Sequence, residues 1–283
     1  MNHKLAFWAI AVLCMAMIGG CSGSGDTAKD GDVAVAIDSI AQDGSFKKSN
    51  GEVCQMKVKL VVTYPQAYKD SAQLIKLRQL FVAHLLKAPK GVTGVKEAMK
   101  SYASSIISRN TPSQYAQSQA VSDSVGADVD EVDVDRFEST INIKVVYNTH
   151  DLITFCKEET INKNGQRTST THHYTSFDLK TMKKVTLSQL IRDDSYDKVT
   201  AMLKKELMDD KGASNEDELN DMGYFNLPNL TVNNNFFFTS SGLTWSYDSS
   251  VIAVASVGEP NITIDYDDLE QYFCDDSILK RLI

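Results

Sequence analysis

The side chains best suited to chemistry in this chain are the adjacent imidazoles His172-His173 and a scatter of paired carboxylates. Histidine moves protons and binds metals near neutral pH. Neighbouring residues on a strand, however, face opposite sides of a sheet, so His172 and His173 are not expected to line one site. The acidic pairs read as helix furniture. Asp193-Asp194 precedes a helical pattern, and Asp267 with Glu270 opens the last one, where carboxylates favour the positive end of the helix dipole. Asp209-Asp210 follows a helix without the ligand spacing of a calcium loop. Asp128, Asp130, Asp133 and Asp135 mostly alternate in a polar stretch that reads as a solvated loop. No G-x-S-x-G, H-E-x-x-H or G-x-x-x-x-G-K pattern occurs in the sequence. The expectation is therefore no catalytic group, no metal and no cofactor. A hydrolase using His172, His173 and Asp178 is the alternative that a scattered site would allow.

Composition sets the frame. The 283 residues are 42% hydrophobic and 23% charged, with a net charge of −8. That is long enough for one large core or two small ones. The negative balance argues against nucleic acid, which needs a basic face. It suits a cationic or neutral partner, or solubility alone.

The N-terminus has Lys4, an apolar run from Leu5 to Ile18, and Gly19-Gly20-Cys21. A basic start, a short apolar core and small residues at its end describe a secretory signal peptide over 1–20. The run is shorter than a spanning helix needs. Ile18-Gly19-Gly20-Cys21 resembles the lipobox of bacterial lipoproteins, which implies lipid attachment at Cys21 and a membrane anchor. The Gly- and Ser-containing stretch 21–32 then reads as a flexible tether. This places the body in the cell envelope, at the outer membrane, facing the periplasm or the surface. Cys54, Cys156 and Cys274 lie beyond the tether in a compartment that permits disulfides. At most one bridge can form among three. If one forms, Cys54–Cys156 is the expected pair, since both lie in strand-like runs; buried free thiols are an equal expectation.

The elements that must position these residues follow from periodicity. Val33–Ile37 and Val53–Val62 read as strands, the second alternating at Met56, Val58, Leu60 and Val62. Asp70 with Gln73 marks a helix start, followed by an apolar stripe of Leu74, Leu77, Phe81 and Leu85 widened by Ile75, Val82 and Leu86. A second helix runs from Val95 to Ser108, and a third follows Thr111-Pro112. Phe137–Tyr147 and Leu152–Ile161 are long strands, and Asn164-Gly165 signals a hairpin into Arg167–Leu179. Thr186 with Gln189 forms another capping pattern, stapled by Val185 and Leu190, before a helix over 195–208. Phe236–Thr239 and Leu243–Tyr247 form a hairpin around Gly242, expected in a left-handed conformation. A strand at Ile262–Tyr266 and a short helix to Phe273 close the chain. The expectation is an α+β fold of antiparallel meander sheets packed with helices, in two closely associated subdomains over 33–165 and 166–283.

Two stretches carry a family resemblance. The run Tyr174–Ile191 (YTSFDLKTMKKVTLSQLI) and the block from Asn235 to Phe273 are similar to the RsiV-like family of bacterial extracytoplasmic domains. The region from Val58 to Pro65, with the helices and long strands after it, resembles the PdaC-like domain that commonly precedes it. The resemblance implies an α+β extracytoplasmic domain that binds a protein or glycan partner, a lysozyme-like protein among the candidates. It also implies a left-handed backbone at Met182, where the family turn has glycine. The expected binding loop runs from Asp248 to Gly258 and includes Asp248, Val251, Ile252 and Gly258, because loops carry most recognition. The first expectation is thus a non-enzymatic envelope lipoprotein. A cell-wall glycan hydrolase or deacetylase-associated protein, and a structural lipoprotein without a soluble ligand, stand as alternatives.

Overall fold

The computed structural model describes residues 32–48, 51–109 and 134–283. The signal segment, Cys21, the helix expected after Thr111-Pro112 and the acids Asp128, Asp130 and Asp133 lie outside the described residues. The architecture is the expected α+β class, in two parts. No described helix is long and apolar enough to cross a membrane.

The first part is a six-stranded sheet in the order β1-β2-β3-β4-β5-β6. Its strands are β1 (Ala34–Lys47), β2 (Val53–Ala67), β3 (Arg136–Thr149), β4 (Leu152–Lys163), β5 (Gln166–Asp178) and the short β6 (Lys183–Lys184). Two helices, α1 (Ser71–Leu85) and α2 (Val95–Arg109), lie between β2 and β3 in sequence. Alternation along β2 buries Cys54, Met56, Val58, Leu60 and Val62 on the face these helices cover. The Asp70 side chain accepts the Gln73 N–H at 2.9 Å and starts α1. Leu77, Phe81, Val82 and Leu85 are buried along it, while Ile75 stays 49% exposed, outside the stripe expected of it. Met99, Tyr102 and Ala103 of α2 complete this core. Asn164 (φ 50°) and Gly165 (φ 82°) both adopt positive φ, as a two-residue turn matching strand twist requires.

The meander expectation needs one amendment. The β2–β3 pair is parallel, from Gln55 beside Arg136 to Val62 beside Ile143. A chain returning in the same direction needs a long crossover, and α1 and α2 supply it. β1 also runs ten residues past the expected Val33–Ile37, because it pairs with β2 from Ala34 to Lys47.

The second part holds α3 (Tyr196–Lys211), α4 (Glu216–Asp221), β7 (Phe236–Phe238), β8 (Gly242–Ser246), α5 (Ser249–Ile252), β9 (Asn261–Asp265) and α6 (Tyr266–Leu269). β7, β8 and β9 form an antiparallel sheet. Val199, Leu203 and Leu207 of α3 bury against Leu243, Trp245, Ile262 and Ile264, and Gly212 ends the helix at φ 66°. Apart from Leu152 of β4, which joins the second apolar cluster with Tyr147 packed against it, the buried members of that cluster begin at Val185; the Asn164-Gly165 turn lies inside the first sheet. Met182 does adopt the left-handed backbone, at φ 52°.

Two expectations fail. The Cys54–Cys156 bridge is absent: both thiols are free and buried, and Cys274 is free and half-buried. β3 separates β2 from β4, and Cys54 faces the helices while Cys156, opposite Tyr174 and Lys144, faces away. Gly242 is not left-handed either; among the described glycines, positive φ falls elsewhere. Its role is close approach, since an added Cβ would run into the Ile264 carbonyl of β9. Gly242→Ala should therefore destabilise the fold by roughly 1–3 kcal/mol, the usual cost of overpacking. A urea titration with an unchanged m-value would show it, and wild-type stability would refute the steric account.

Candidate functional site

The functional candidates converge where the second part meets the edge of β5. β5 finds β6 only at Phe177 and Asp178, so its edge is open upstream. An open edge exposes unpaired N–H and C=O groups. Two side chains from the second part fill it. The Glu259 carboxylate accepts the His172 backbone N–H at 3.1 Å and lies 2.5 Å from His172 Nδ1. An ionised carboxylate can only accept, so Nδ1 carries the proton in this contact. Glu158 lies 3.6 Å from His172 Nε2 and 3.4 Å from Lys144 Nζ. Asn235 then acts as a one-residue strand: Oδ1 accepts the Tyr174 N–H at 2.9 Å and Nδ2 donates to the His172 carbonyl at 3.0 Å. Its neighbours are similarly used, Asn233 accepting the Asn235 N–H at 2.6 Å and Asn234 the Leu187 N–H at 2.9 Å. Tyr174 stacks on Phe237 with ring centroids 4.3 Å apart. On the sheet face away from the helices, burial pushes the Cys156 thiol upward in pKa, and burial with Cys156 close by does the same to the Tyr174 phenol.

The two histidines separate as the strand period demands. His172 is drawn into the Glu259 contact, whereas His173 is exposed and borders a cleft of about 390 Å³. Asn229, Ser246, Tyr247, Asp248 and Val251 also line this cleft. Two of the expected binding-loop residues, Asp248 and Val251, thus do reach a concave surface. Ile252 does not: it is fully buried in the second core, because Ser249–Ile252 folds into α5 and turns it inward. Gly258 sits at φ 87° with open space where a Cβ would stand, a turn position ahead of Glu259.

Beyond α5 the same loop meets a patch that sequence reasoning missed. Met222, Phe225 and Val254 are 45%, 38% and 42% exposed. Backbone bonds hold the segments together, from Phe225 N–H to Ile252 O at 3.0 Å and from Val254 N–H to Gly223 O at 2.8 Å. Gly223 allows this, since it lies at φ 92° and an added Cβ would stand 2.8 Å from Val254 Cγ2. Acidic α4, with Glu216, Asp217, Glu218 and Asp221, leads directly into Met222. The missed signal was Met222 and Phe225 flanking glycine in a stretch too short to show periodicity.

The remaining candidates have structural partners. Asp178 accepts from Arg281 at 2.8 Å, the Lys180 N–H at 3.0 Å and Thr181 at 2.9 Å. Asp135 pairs with Lys48 at 2.6 Å and Lys163 at 3.3 Å, and accepts from Asn164 at 3.0 Å. Asp209 and Asp210 pair with Lys205 and Lys211. Asp193 and Asp194 open a 3₁₀ turn before α3, and Asp267 sits in the first turn of α6. A wider cavity of about 900 Å³ at the far end of the first sheet is walled by Asp43, Lys57, Arg136 and Glu138. Among the described residues, no group of three His, Cys, Asp or Glu is arranged to hold a metal ion.

The α+β body thus carries a cleft at its seam and an apolar loop patch. Residues 188–267, which include most of the cleft and the whole patch, match the model of the DUF3298 family, described as a protein of unknown function. The fold is shared with two crystal structures from that family. A member from Bacteroides fragilis NCTC 9343 superposes with a TM-score of 0.64 at 20% identity, covering 89% of this chain and 98% of its own. A Pseudomonas aeruginosa PAO1 protein gives a TM-score of 0.50 at 12% identity, covering 86% and 96%. No curated protein matches the sequence.

Asp178, the last residue of β5, carries a pH signature of its own. Burial opposes its ionisation, but Arg281, the Lys180 N–H and the Thr181 hydroxyl outweigh burial and hold its carboxyl below the usual value. A depressed carboxyl contributes stability above its unfolded pKa and loses it as pH falls through the folded one. Urea stability should accordingly decline below about pH 4. Asp178→Asn should be less stable at pH 7 and show a shallower decline; identical pH profiles would remove the ion pair from the account.

Proposed function

We propose that this protein is a non-enzymatic recognition module of the cell envelope, tethered through lipid on Cys21, with an RsiV-like second half behind a PdaC-like first half. The observation that carries the reading is the apolar patch Met222–Phe225–Val254 beside acidic α4. Exposed large apolar residues gathered on loops mark interaction surfaces. Asp217 and Asp221 are exposed and form no ion pair with another described residue, so the rim presents uncompensated negative charge. With the chain at −8, the complementary partner is a cationic protein presenting apolar side chains, of which a lysozyme-type muramidase is the best-fitting kind.

The test is calorimetric titration with egg-white lysozyme at low and high salt. A complex that weakens several-fold between about 50 and 300 mM salt is expected, since rim charges are screened over that range. Phe225→Ser should weaken it about tenfold, as the loss of an aromatic anchor does. No heat at either salt concentration sinks the proposal. The tether is tested separately: Cys21→Ser should move the protein from the membrane fraction to the soluble one, and unchanged membrane retention would rule out acylation there.

A further inference from the structure

We propose that the cleft at the seam between the two parts binds a segment of a neutral glycan chain. The inference rests on the recognition-module reading in its general form but uses a different surface from the apolar patch. Its starting point is Ser246. This residue is 2% exposed, its Oγ has no hydrogen-bond partner among the described residues, and it lines the cleft. Its backbone groups are already committed, the N–H to the Asn235 carbonyl at 2.8 Å and the C=O to the Asn233 and Asn235 amides at 3.4 Å. The hydroxyl is the group left over. A buried hydroxyl without a partner is costly, and buried polar groups in native proteins nearly always find one.

The walls supply further uncommitted groups. Asp248 precedes α5 but its carboxylate accepts no N–H from the helix end, and it forms no ion pair among the described residues. The Asn229 amide and the His173 ring form no side-chain hydrogen bond among the described residues. Tyr247 is pinned by its hydroxyl to the Thr231 carbonyl at 2.9 Å, so its place in the wall is fixed. Val251 adds a half-buried apolar edge. This set offers a hydroxyl, an amide, an imidazole and a carboxylate, which together accept and donate. Sugar hydroxyls do both at short spacing, and a carboxylate can take two neighbouring ones. The volume of about 390 Å³ falls within the range of small-ligand sites, and sites of this kind favour domain seams.

Other ligand classes fit less well. An anion would meet Asp248 without a lysine or arginine lining the cleft. A metal ion would find no group of three ligands among the described residues. An extended peptide would need a free strand edge, and the β5 edge here is already occupied by Glu259 and Asn235.

The experiment titrates the full chain, in detergent, with chitotriose and cellotriose by NMR and calorimetry. At least one should bind with a dissociation constant tighter than about 10 mM, as expected for a short glycan on a single subsite. Ser246→Ala should fold with equal or higher thermal stability yet bind about tenfold more weakly, a split that a purely structural serine would not produce. Asp248→Asn should weaken binding as well, while Phe225→Ser leaves it unchanged and so separates this site from the protein-binding patch. Failure of both sugars to bind, or binding indifferent to Ser246→Ala and Asp248→Asn, overturns the proposal. Saturable binding of an extended peptide in the cleft in place of the sugars also overturns it.

Discussion

The two parts of this molecule are held in register by the treatment of one strand edge. Between His172 and Tyr174, β5 presents backbone donors and an acceptor that no strand among the described residues covers. The second part answers with a carboxylate and an amide rather than with another strand. Glu259 and Asn235 are separated in sequence by the whole of β7, β8 and α5, so both can reach the edge only if that sheet is correctly built. The geometry is directional: a carboxylate and an amide at fixed spacing accept one register of the strand and no other. The Tyr174–Phe237 stack then adds an apolar contact beside the polar ones.

That arrangement explains why the cleft and the apolar patch lie where they do. Once the asparagines at 233–235 are spent on backbone clamping, the groups left at the seam are those facing the cleft: Ser246, Asp248, Asn229 and His173. The apolar patch is set up by a different device, the close pairing of residues 222–225 with 252–254 around Gly223. One loop, from Asp248 to Gly258, contributes to both surfaces and also delivers Glu259 to the edge. The cleft, the patch and the contact that joins the two parts therefore share a short stretch of chain, a common result when loops are positioned by a rigid scaffold.

Much of the fold was legible because its signals are local. The Asn164-Gly165 hairpin, the Asp70 cap and the Val199–Leu203–Leu207 stripe each depend on residues a few positions apart, and each appears as read. Failures came where the cause is long-range. Gly242 is glycine because of a carbonyl on β9, which no turn rule encodes. The cysteine pairing failed because β3 intervenes, and strand order is not written in either cysteine's neighbourhood. Of the site, Asp248 and Val251 were legible as loop residues. Ile252 was misplaced because a single helical turn reversed its direction, and Ser246 gave no signal, being one serine of an alternating strand.

The parallel β2–β3 pair has a bearing on how the chain reaches this state. β1 with β2, and β3 through β5, can each zip from a nearby turn. Joining Gln55–Val62 to Arg136–Ile143 must instead wait for the entire helical crossover to collapse, at a loop-closure entropy that no local contact offsets. Two preformed hairpin units awaiting a late union would leave the flanks of β2 and β3 briefly bare, and it is there that a newly synthesised copy is most open to pairing with its neighbour.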